Sequence, residues 1–266
     1  MIKLMIIGDT HTGSPVGLTT APRNEIQRQV LDRYVDALSW FGDRPEFVVH
    51  MGDMTEGVDS KLDIDSPQIT EQYSVAAETI VMAGAQKEYF LIRGTPTHAS
   101  VNNQHLEELA VYSIKEKHRE IYDEDVEVTL KNKLNVTFND WFCLSARHFI
   151  GASSIPHGRA TAPTRSQMWN ILNSALRSQE KKEPAKWPDL LVFGHVHYYQ
   201  FVQNAWGSVL VVPSFKALGD HYGDTKCDGH VDMGMVRIEI GDTEEEGWDI
   251  HRRLYNCSVV SRMEHR

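Results

Sequence analysis

Residues 2–11 read IKLMIIGDTH, an apolar run of strand length that ends at a glycine and continues directly into aspartate and histidine. A continuous run of large apolar side chains is typical of a strand that is covered on both faces. Residues 47–53 (FVVHMGD) and 190–197 (LLVFGHVH) repeat the same arrangement. Because open α/β sheets bind ligands beyond the carboxyl ends of their strands, the pattern indicates an α/β fold with a functional site at the strand ends.

The order of the predicted elements indicates how the sheets are built. In the first half, predicted strands and helices alternate, at residues 2–8, 24–41, 47–52, 67–84, 89–94 and 104–118. Such alternation is typical of a sheet with helical crossovers. The second half predicts close-set strands from residue 125 onward, interrupted by one helix over residues 165–179. We therefore predict one α/β domain of two packed sheets over residues 1–266.

The composition limits the classes of function. The chain has 266 residues, of which 41% are hydrophobic, and a formal net charge of −10. An acidic protein is poorly suited to non-specific duplex binding, which depends on many Lys–phosphate contacts. It is compatible with a small site for a phosphorylated substrate, because bound cations reverse the local field. The sequence has no long basic segment and no evident aromatic stacking platform, which disfavours processive work on duplex DNA.

The cysteines and the apolar segments bear on location. Cys143, Cys227 and Cys257 form no CxxC pair, and an odd number without a disulfide framework is typical of a reduced protein. The first apolar run is too short for a signal peptide, and no later segment has the length of a membrane span. We expect a cytoplasmic protein with no membrane partner. The oligomeric state is left open.

The polar residues at the strand ends have the donor types of a metal site. They supply two carboxylates and four imidazoles: Asp9, His11, Asp53, His148, His195 and His197. Mixed nitrogen and oxygen donors suit Mn, Fe, Zn or Co rather than Mg or Ca. Of the candidate ions we expect Mn first, followed by Fe, Zn, Ni or Co. Two such ions about 3.5–4 Å apart clamp both oxygens of an in-line displacement at phosphorus, and a water between them is deprotonated near neutral pH. We predict two divalent metal ions and a bridging hydroxide as the nucleophile.

Each motif alone also has a structural explanation. An Asp-x-His after a strand can be a helix cap, a His-x-His can be a satisfied pair in a turn, and Gly-Asp is common turn chemistry. Their occurrence after successive buried strands favours the metal site.

The motifs resemble those of a known family. They are GDTHTG (8–13), GDMTEG (52–57), GTPTH (94–98), the lone histidine of ARHF (146–149) and GHVH (194–197). Their order resembles that of the calcineurin-like metallophosphoesterase superfamily, whose pattern is GDxHxG, GDxx, GNH(D/E), a separate His and GHxH. The chain also resembles members of this superfamily that bacteriophages encode. The resemblance implies a two-sheet αββα sandwich with a dinuclear centre between the sheets.

The resemblance also implies roles for the matching residues. Asp9, His11 and His197 would bind one metal ion, and Asp53 would bridge to the second ion, which His148 and His195 would bind. The third motif departs from the family, because Gly94-Thr95-Pro96-Thr97-His98 replaces Gly-Asn-His. Thr95 or a water would substitute for the missing Asn, so the second metal site is expected to be the weaker.

Thr95 is also expected to meet the substrate, together with three further residues. His98 lies two positions later than the histidine of the family's Gly-Asn-His motif. It is the candidate for the family's catalytic histidine, which protonates the leaving oxygen. Arg159 and Arg165 lie in a segment that could cover the site, and a guanidinium group suits phosphate, although solvated arginines are the alternative.

Two functions from different classes fit these residues. The first is a phosphodiesterase, nuclease or phosphatase that acts on a phosphorylated small molecule or a nucleic acid. The second is a binding or scaffold protein that keeps the fold without catalysis, for which the altered third motif is the support. Retention of the six ligand types favours the enzyme, because buried Asp and His side chains are costly without a metal ion.

Overall fold

The computed structural model describes residues 1–58, 64–66, 68–101, 104–153, 155–182, 186–219 and 231–256. The larger sheet contains β1 (Ile2–Ile7), β2 (Phe47–His50), β3 (Glu88–Ile92), β6 (Glu127–Lys131), β12 (Asp232–Ile240) and β13 (Trp248–Asn256). The second sheet contains β7 (Lys133–Phe138), β8 (Phe142–Arg147), β9 (Leu190–Phe193), β10 (Gln200–Asn204) and β11 (Gly207–Val211). Two short strands, β4 (Ser100–Val101) and β5 (Gln104–His105), pair with each other.

The helices connect and cover these sheets. They are α1 (Glu25–Phe41), α2 (Ile69–Val81), α3 (Pro96–Ala99), α4 (Glu108–Tyr122) and α5 (Thr161–Lys181), with a 3₁₀ turn at Pro156–Gly158. None of the helices in the described ranges is long and apolar enough to cross a membrane. Cys143 is a free, half-buried cysteine, whereas Cys227 and Cys257 lie outside the described residues.

The strand order brings the carboxyl ends of the motif-bearing strands together. The larger sheet has the order β13-β12-β1-β2-β3-β6, in which β1, β2, β3 and β6 run parallel. The second sheet has the order β10-β11-β9-β8-β7, in which β8, β9 and β11 run parallel. Because parallel strands end at the same edge of a sheet, the loops after β1, β2 and β3 meet at one edge, and those after β8 and β9 meet at another.

Alternating side chains of β1 enter two apolar layers. Leu4 and Ile6 pack between the sheets in one cluster with Leu144 of β8 and Leu210 of β11. The alternate residues of β1 pack on the other face with side chains of α1, α2 and α4. On the far side of the second sheet, β9 and β11 pack against α5. The layers are helix, sheet, sheet and helix, which confirms the predicted two-sheet αββα sandwich.

The structure adds two details to the sequence-based expectation. β6, the first of the close-set strands predicted from residue 125 onward, follows the crossover helix α4 and therefore pairs parallel to β3. The helix predicted at 104–118 spans Glu108–Tyr122, since residues 104–105 form β5 and Asp123 ends the helix in the left-handed conformation. The extent of the domain, residues 1–266, stays a prediction.

We predict that Leu210→Ala destabilises the protein by about 3 kcal/mol, because it leaves a cavity between the two sheets. Leu210 is fully buried there. The matched control is Leu172→Ala on α5, whose side chain is 46% exposed and whose truncation should cost less than about 0.5 kcal/mol. Unfolding in urea measures both, and equal midpoints for the two variants would contradict a core between the sheets.

Candidate metal centre

Backbone hydrogen bonds join the loops that carry the motifs. The backbone N–H groups of Thr10 and His11 donate to the carbonyl oxygen of Asp53, at 3.2 and 3.0 Å. Between β8 and β9, the N–H of Gly194 donates to the carbonyl oxygen of His148 at 3.0 Å. The sites predicted from separate motifs therefore come together in one place, where the two sheets meet at their carboxyl ends.

The six predicted ligands form two clusters. One contains Asp9, His11 and His197, and the other contains Asp53, His148 and His195, with the donor atoms of each cluster within 4.8 Å of one another. In the first, Nε2 of His197 lies 3.1 Å from Oδ2 of Asp9 and 3.2 Å from Nε2 of His11. The grouping is the one that the resemblance implies, and ligation itself stays a prediction.

Backbone strain concentrates in these loops. Eight described residues other than glycine have positive φ angles, and four of them are His11, Asp53, His195 and His197. A left-handed conformation costs a non-glycine residue on the order of 1–3 kcal/mol, and such residues cluster at functional sites. The geometry of the loops is therefore kept at a cost, which is consistent with a functional requirement on where these side chains lie.

Two glycines allow the close approach of the loops. A Cβ atom on Gly94 would lie 2.2 Å from Oδ1 of Asp53, and one on Gly52 would lie 2.6 Å from Nδ1 of His148. Gly52 also has a φ of 104°, a conformation that side chains rarely adopt. At these two positions only glycine leaves room for a side chain of a neighbouring motif. The glycines are therefore needed for the contact between motifs as well as for their own turns.

The orientation of the imidazole rings fits metal binding. Nδ1 of His11 donates to Oε2 of Glu56 at 2.8 Å, and Nδ1 of His148 donates to the carbonyl oxygen of Met51 at 2.7 Å. With Nδ1 engaged in this way, Nε2 of a neutral ring presents a lone pair, which is the arrangement found at metal-binding histidines. Among the described residues, Nε2 of His148 has no hydrogen-bond partner although it lies 3.0 Å from Oδ2 of Asp53.

The charges of the site also fit a cation. Burial raises the pKa of both carboxyl groups, but the positive charge of His148, together with a second histidine beside each carboxylate and the hydrogen bonds that each accepts, lowers the pKa of Asp9 and Asp53 overall. Burial opposes protonation of His148, yet Asp53 and Asp9 raise its pKa to about 10. The two carboxylates therefore demand a positive charge beside them, which a divalent ion supplies in place of the proton.

His98 and Thr95 lie beside the two clusters. Nδ1 of His98 donates to the carbonyl oxygen of Glu56 at 2.6 Å, and its ring packs edge-on against His11 with 4.5 Å between centroids. The N–H of Thr95 donates to Oδ1 of Asp53 at 2.6 Å, and its hydroxyl lies 3.1 and 3.2 Å from the two carboxylate oxygens. Thr95 therefore holds the carboxylate of Asp53 in place. The sequence analysis did not predict this contact.

The two predicted substrate arginines lie in different surroundings. Arg165 lines a cavity of about 550 Å³ together with Thr95 and His148. Arg159 is not among the lining residues, and its guanidinium carbon lies 4.6 Å from the centre of the Tyr198 ring. The structure thus brings Arg165 to the candidate centre and leaves Arg159 packed on an aromatic side chain.

Sequence reasoning missed two arginines that line the same cavity. Arg93 and Arg147 directly precede Gly94 and His148, at the last positions before two of the motifs. Their place one residue ahead of a motif was a usable signal. Arg93 is ion-paired with Glu107 at 2.9 Å and also with Glu108.

Sequence reasoning also missed a buried ion pair behind His11. Nζ of Lys216 lies 3.1 Å from Oε2 of Glu56, the oxygen that also accepts from His11, and both side chains are 2% exposed. The pKa of His11 lies well below its usual value because of burial and because Lys216 is near. Glu56 belongs to the second motif and could have been found there, whereas Lys216 follows the last motif by 19 positions.

Comparisons with known proteins give structural likenesses only. No model of a protein family matches the chain, and no curated protein matches it. Vps29 of Entamoeba histolytica, solved with Zn²⁺, is similar at 14% identity and a TM-score of 0.42, over 96% of this chain and 100% of that one. A novel archaeal phosphodiesterase is similar at 14% identity and a TM-score of 0.41, over 95% and 100% of the two chains. Chaetomium thermophilum Vps29 is similar at 10% identity and a TM-score of 0.45, over 97% and 98%. Likenesses at these levels assign no activity to this chain.

We predict that Lys216→Met destabilises the protein by about 3 kcal/mol, because the buried carboxylate of Glu56 would lose the positive charge that compensates it. The matched control is Lys115→Met, which breaks an exposed pair with Glu127 and should cost less than about 1 kcal/mol. Guanidinium unfolding measures the difference. An equal stability of the two variants would show that the buried pair does not hold the loop behind His11.

Proposed function

We propose that the protein is a metal-dependent phosphoesterase, which hydrolyses phosphodiester or phosphomonoester bonds in nucleotide or nucleic-acid-type substrates. The observation that carries this proposal is the pair of adjacent donor clusters, each with one carboxylate and two imidazoles. Carboxylate and imidazole donors suit Mn, Fe, Zn, Ni or Co, and Mn is the ion that we propose first. The proposed number of ions is two.

Two divalent ions, when bound, would polarise a phosphoryl oxygen and lower the pKa of a coordinated water. The protein's own residues fix the geometry around them. We assign Asp53 the bridging position, because its carboxylate lies against His148 on one side and is held by Thr95 on the other. Those contacts limit rotation of the carboxylate, which keeps both of its oxygens available in a fixed orientation.

We assign His98 the role of proton donor to the leaving oxygen. Its Nδ1–H is engaged with the carbonyl oxygen of Glu56, so the ring accepts a proton at Nε2 and presents that proton away from the backbone. The ring is half-buried and lies beside His11, which places it next to the first donor cluster. A positioned imidazole of this kind typically contributes about 10²–10⁴-fold to a rate.

The cavity beside His148 is proposed to hold the substrate phosphate. Arg93, Arg147 and Arg165 line it, and guanidinium groups match the oxygens of phosphate in a planar, two-pronged geometry. The net charge of the protein is −10, so cations gathered at this one place give the substrate a local positive field. Arg159 is proposed to shape the neighbouring loop through its contact with Tyr198, not to bind phosphate directly.

We predict that the wild-type protein hydrolyses bis-p-nitrophenyl phosphate with Mn, and that Asp53→Asn lowers kcat/KM by more than about 100-fold. The reason is that loss of even an indirect partner of a metal ligand costs about 10–100-fold. The monoester p-nitrophenyl phosphate, assayed in parallel with Mn, Mg, Zn and Ni, distinguishes a diesterase from a phosphatase.

The matched control is Asp43→Asn, an exposed carboxyl group paired with Lys3. It should leave the rate within about twofold, because surface pairs contribute little. Binding of metal without hydrolysis of either ester would contradict the enzyme and support the binding or scaffold protein.

We predict that the two metal ions bind with unequal affinity, the second at least about tenfold more weakly. In the second cluster, the hydroxyl of Thr95 contacts Asp53 instead of offering a further ligand. Calorimetric titration of chelator-treated protein with Mn measures both steps. His195→Ala should remove the weaker step and His197→Ala the tighter one, and two equal tight steps in the wild type would contradict the assignment.

A further inference from the structure

A second cavity adjoins the one beside His148. It has a volume of about 320 Å³ and lies between α5 and the outward face of the second sheet. The two cavities share Arg147 and Ser166 as lining residues, so one opens beside the other. We call the combined feature the cationic groove and define it by Arg93, Lys133, Arg147, Phe149, Arg165 and Trp169.

Three of the four cations of the groove lack opposite charges, whereas Arg93 pairs with Glu107 and Glu108. Lys133, Arg147 and Arg165 form no ion pair with any residue in the described ranges, and no carboxylate lines either cavity. Burial lowers the pKa of Lys133, and the neighbouring charges of Arg147 and Arg177 lower it further. Like charges held together at a distance from carboxylates, in a protein of net charge −10, are stabilised by binding an anion.

The groove also exposes aromatic rings. Trp169 lines the smaller cavity and is 57% exposed, and Phe149 lines the larger cavity and is 61% exposed. Phe149 also lies against the ring of His195, with 4.8 Å between centroids, so it borders the second donor cluster. Unpaired cations interleaved with exposed aromatic rings are the features with which proteins bind single-stranded nucleic acid.

We propose that the cationic groove binds a single strand of nucleic acid. In this arrangement, Lys133 and Arg147 bind the phosphate that neighbours the scissile one, and a base stacks on Trp169. The inference rests on the proposed function, since it places the scissile phosphate at the two donor clusters. A mononucleotide would occupy only the larger cavity, and the paired bases of a duplex could not stack on Trp169.

Binding of a fluorescent eight-nucleotide oligodeoxythymidylate, measured by anisotropy in the presence of chelator, tests the groove without catalysis. We expect Lys133→Gln/Arg147→Gln to weaken binding at least tenfold. The slope of log affinity against log salt should fall by about 0.7, because the two side chains are proposed to bind one phosphate and each phosphate neutralised in a single strand contributes about 0.7. The matched control is Arg28→Gln/Lys115→Gln, which removes the same charge from α1 and α4 and should change the affinity less than twofold.

A second pair of variants tests the stacking. Trp169→Ala is expected to weaken binding of the oligonucleotide about tenfold, as is typical when a stacked ring is removed. The control is Trp206→Ala, which removes a ring that is 51% exposed and lines neither cavity. Equal losses from the two tryptophan variants would overturn the stacking contact.

Hydrolysis of bis-p-nitrophenyl phosphate separates this inference from the proposed function. If the wild type binds the oligonucleotide and the Lys133/Arg147 variant does not, the groove is supported even when no ester is hydrolysed. If the wild type hydrolyses the ester but both proteins bind the oligonucleotide equally, the groove is overturned and the phosphoesterase remains. Tighter binding of an eight-base-pair duplex than of the single strand would also overturn it.

Discussion

The arrangement of the site and of the loops around it depends on two buried carboxylates, Asp9 and Asp53. Carboxylates removed from water are costly unless they gain hydrogen bonds and opposite charge. Asp9 accepts the backbone N–H of His195, and Asp53 accepts that of Thr95. The two carboxylates still need a positive charge beside them, and they face the space between the sheets, where the imidazole rings converge. The strained loops, the glycines and the buried Glu56–Lys216 pair all serve to keep these groups in that arrangement.

The sequence predicts the fold well where one local pattern decides it. Residues 2–7 form a strand covered on both faces because every side chain in that run is apolar or long enough to pack, and the same logic holds for β2 and β9. The place of β6 in the larger sheet is not encoded locally. It depends on the crossover through α4, which places β6 beside β3. The pairing of β6 with β3 forms only in the assembled chain.

The candidate site divides in the same way. The glycine–polar motifs at strand ends predict which ligand types converge, because the strand direction carries them to one edge. Lys216 and Trp169 carry no such motif. Their roles depend on where a loop after the last motif and one face of α5 meet the site. Trp169 illustrates the limit well, since an exposed aromatic ring beside unpaired cations becomes visible only after α5 is placed on the second sheet.

The pairing of β1 with β12 has a consequence for biosynthesis. Ile2 lies opposite Ile240, so β1 can pair with β12 only after the chain has been synthesised to Ile240. Asp9 depends on the same late segment, because its carbonyl oxygen accepts the N–H of Phe215. A sheet closed by partners so distant in sequence assembles slowly, and the nascent polypeptide exposes an unpaired β1 edge until β12 has been synthesised. The acidic and imidazole groups of the centre therefore meet only after His197 and Phe215 have been synthesised.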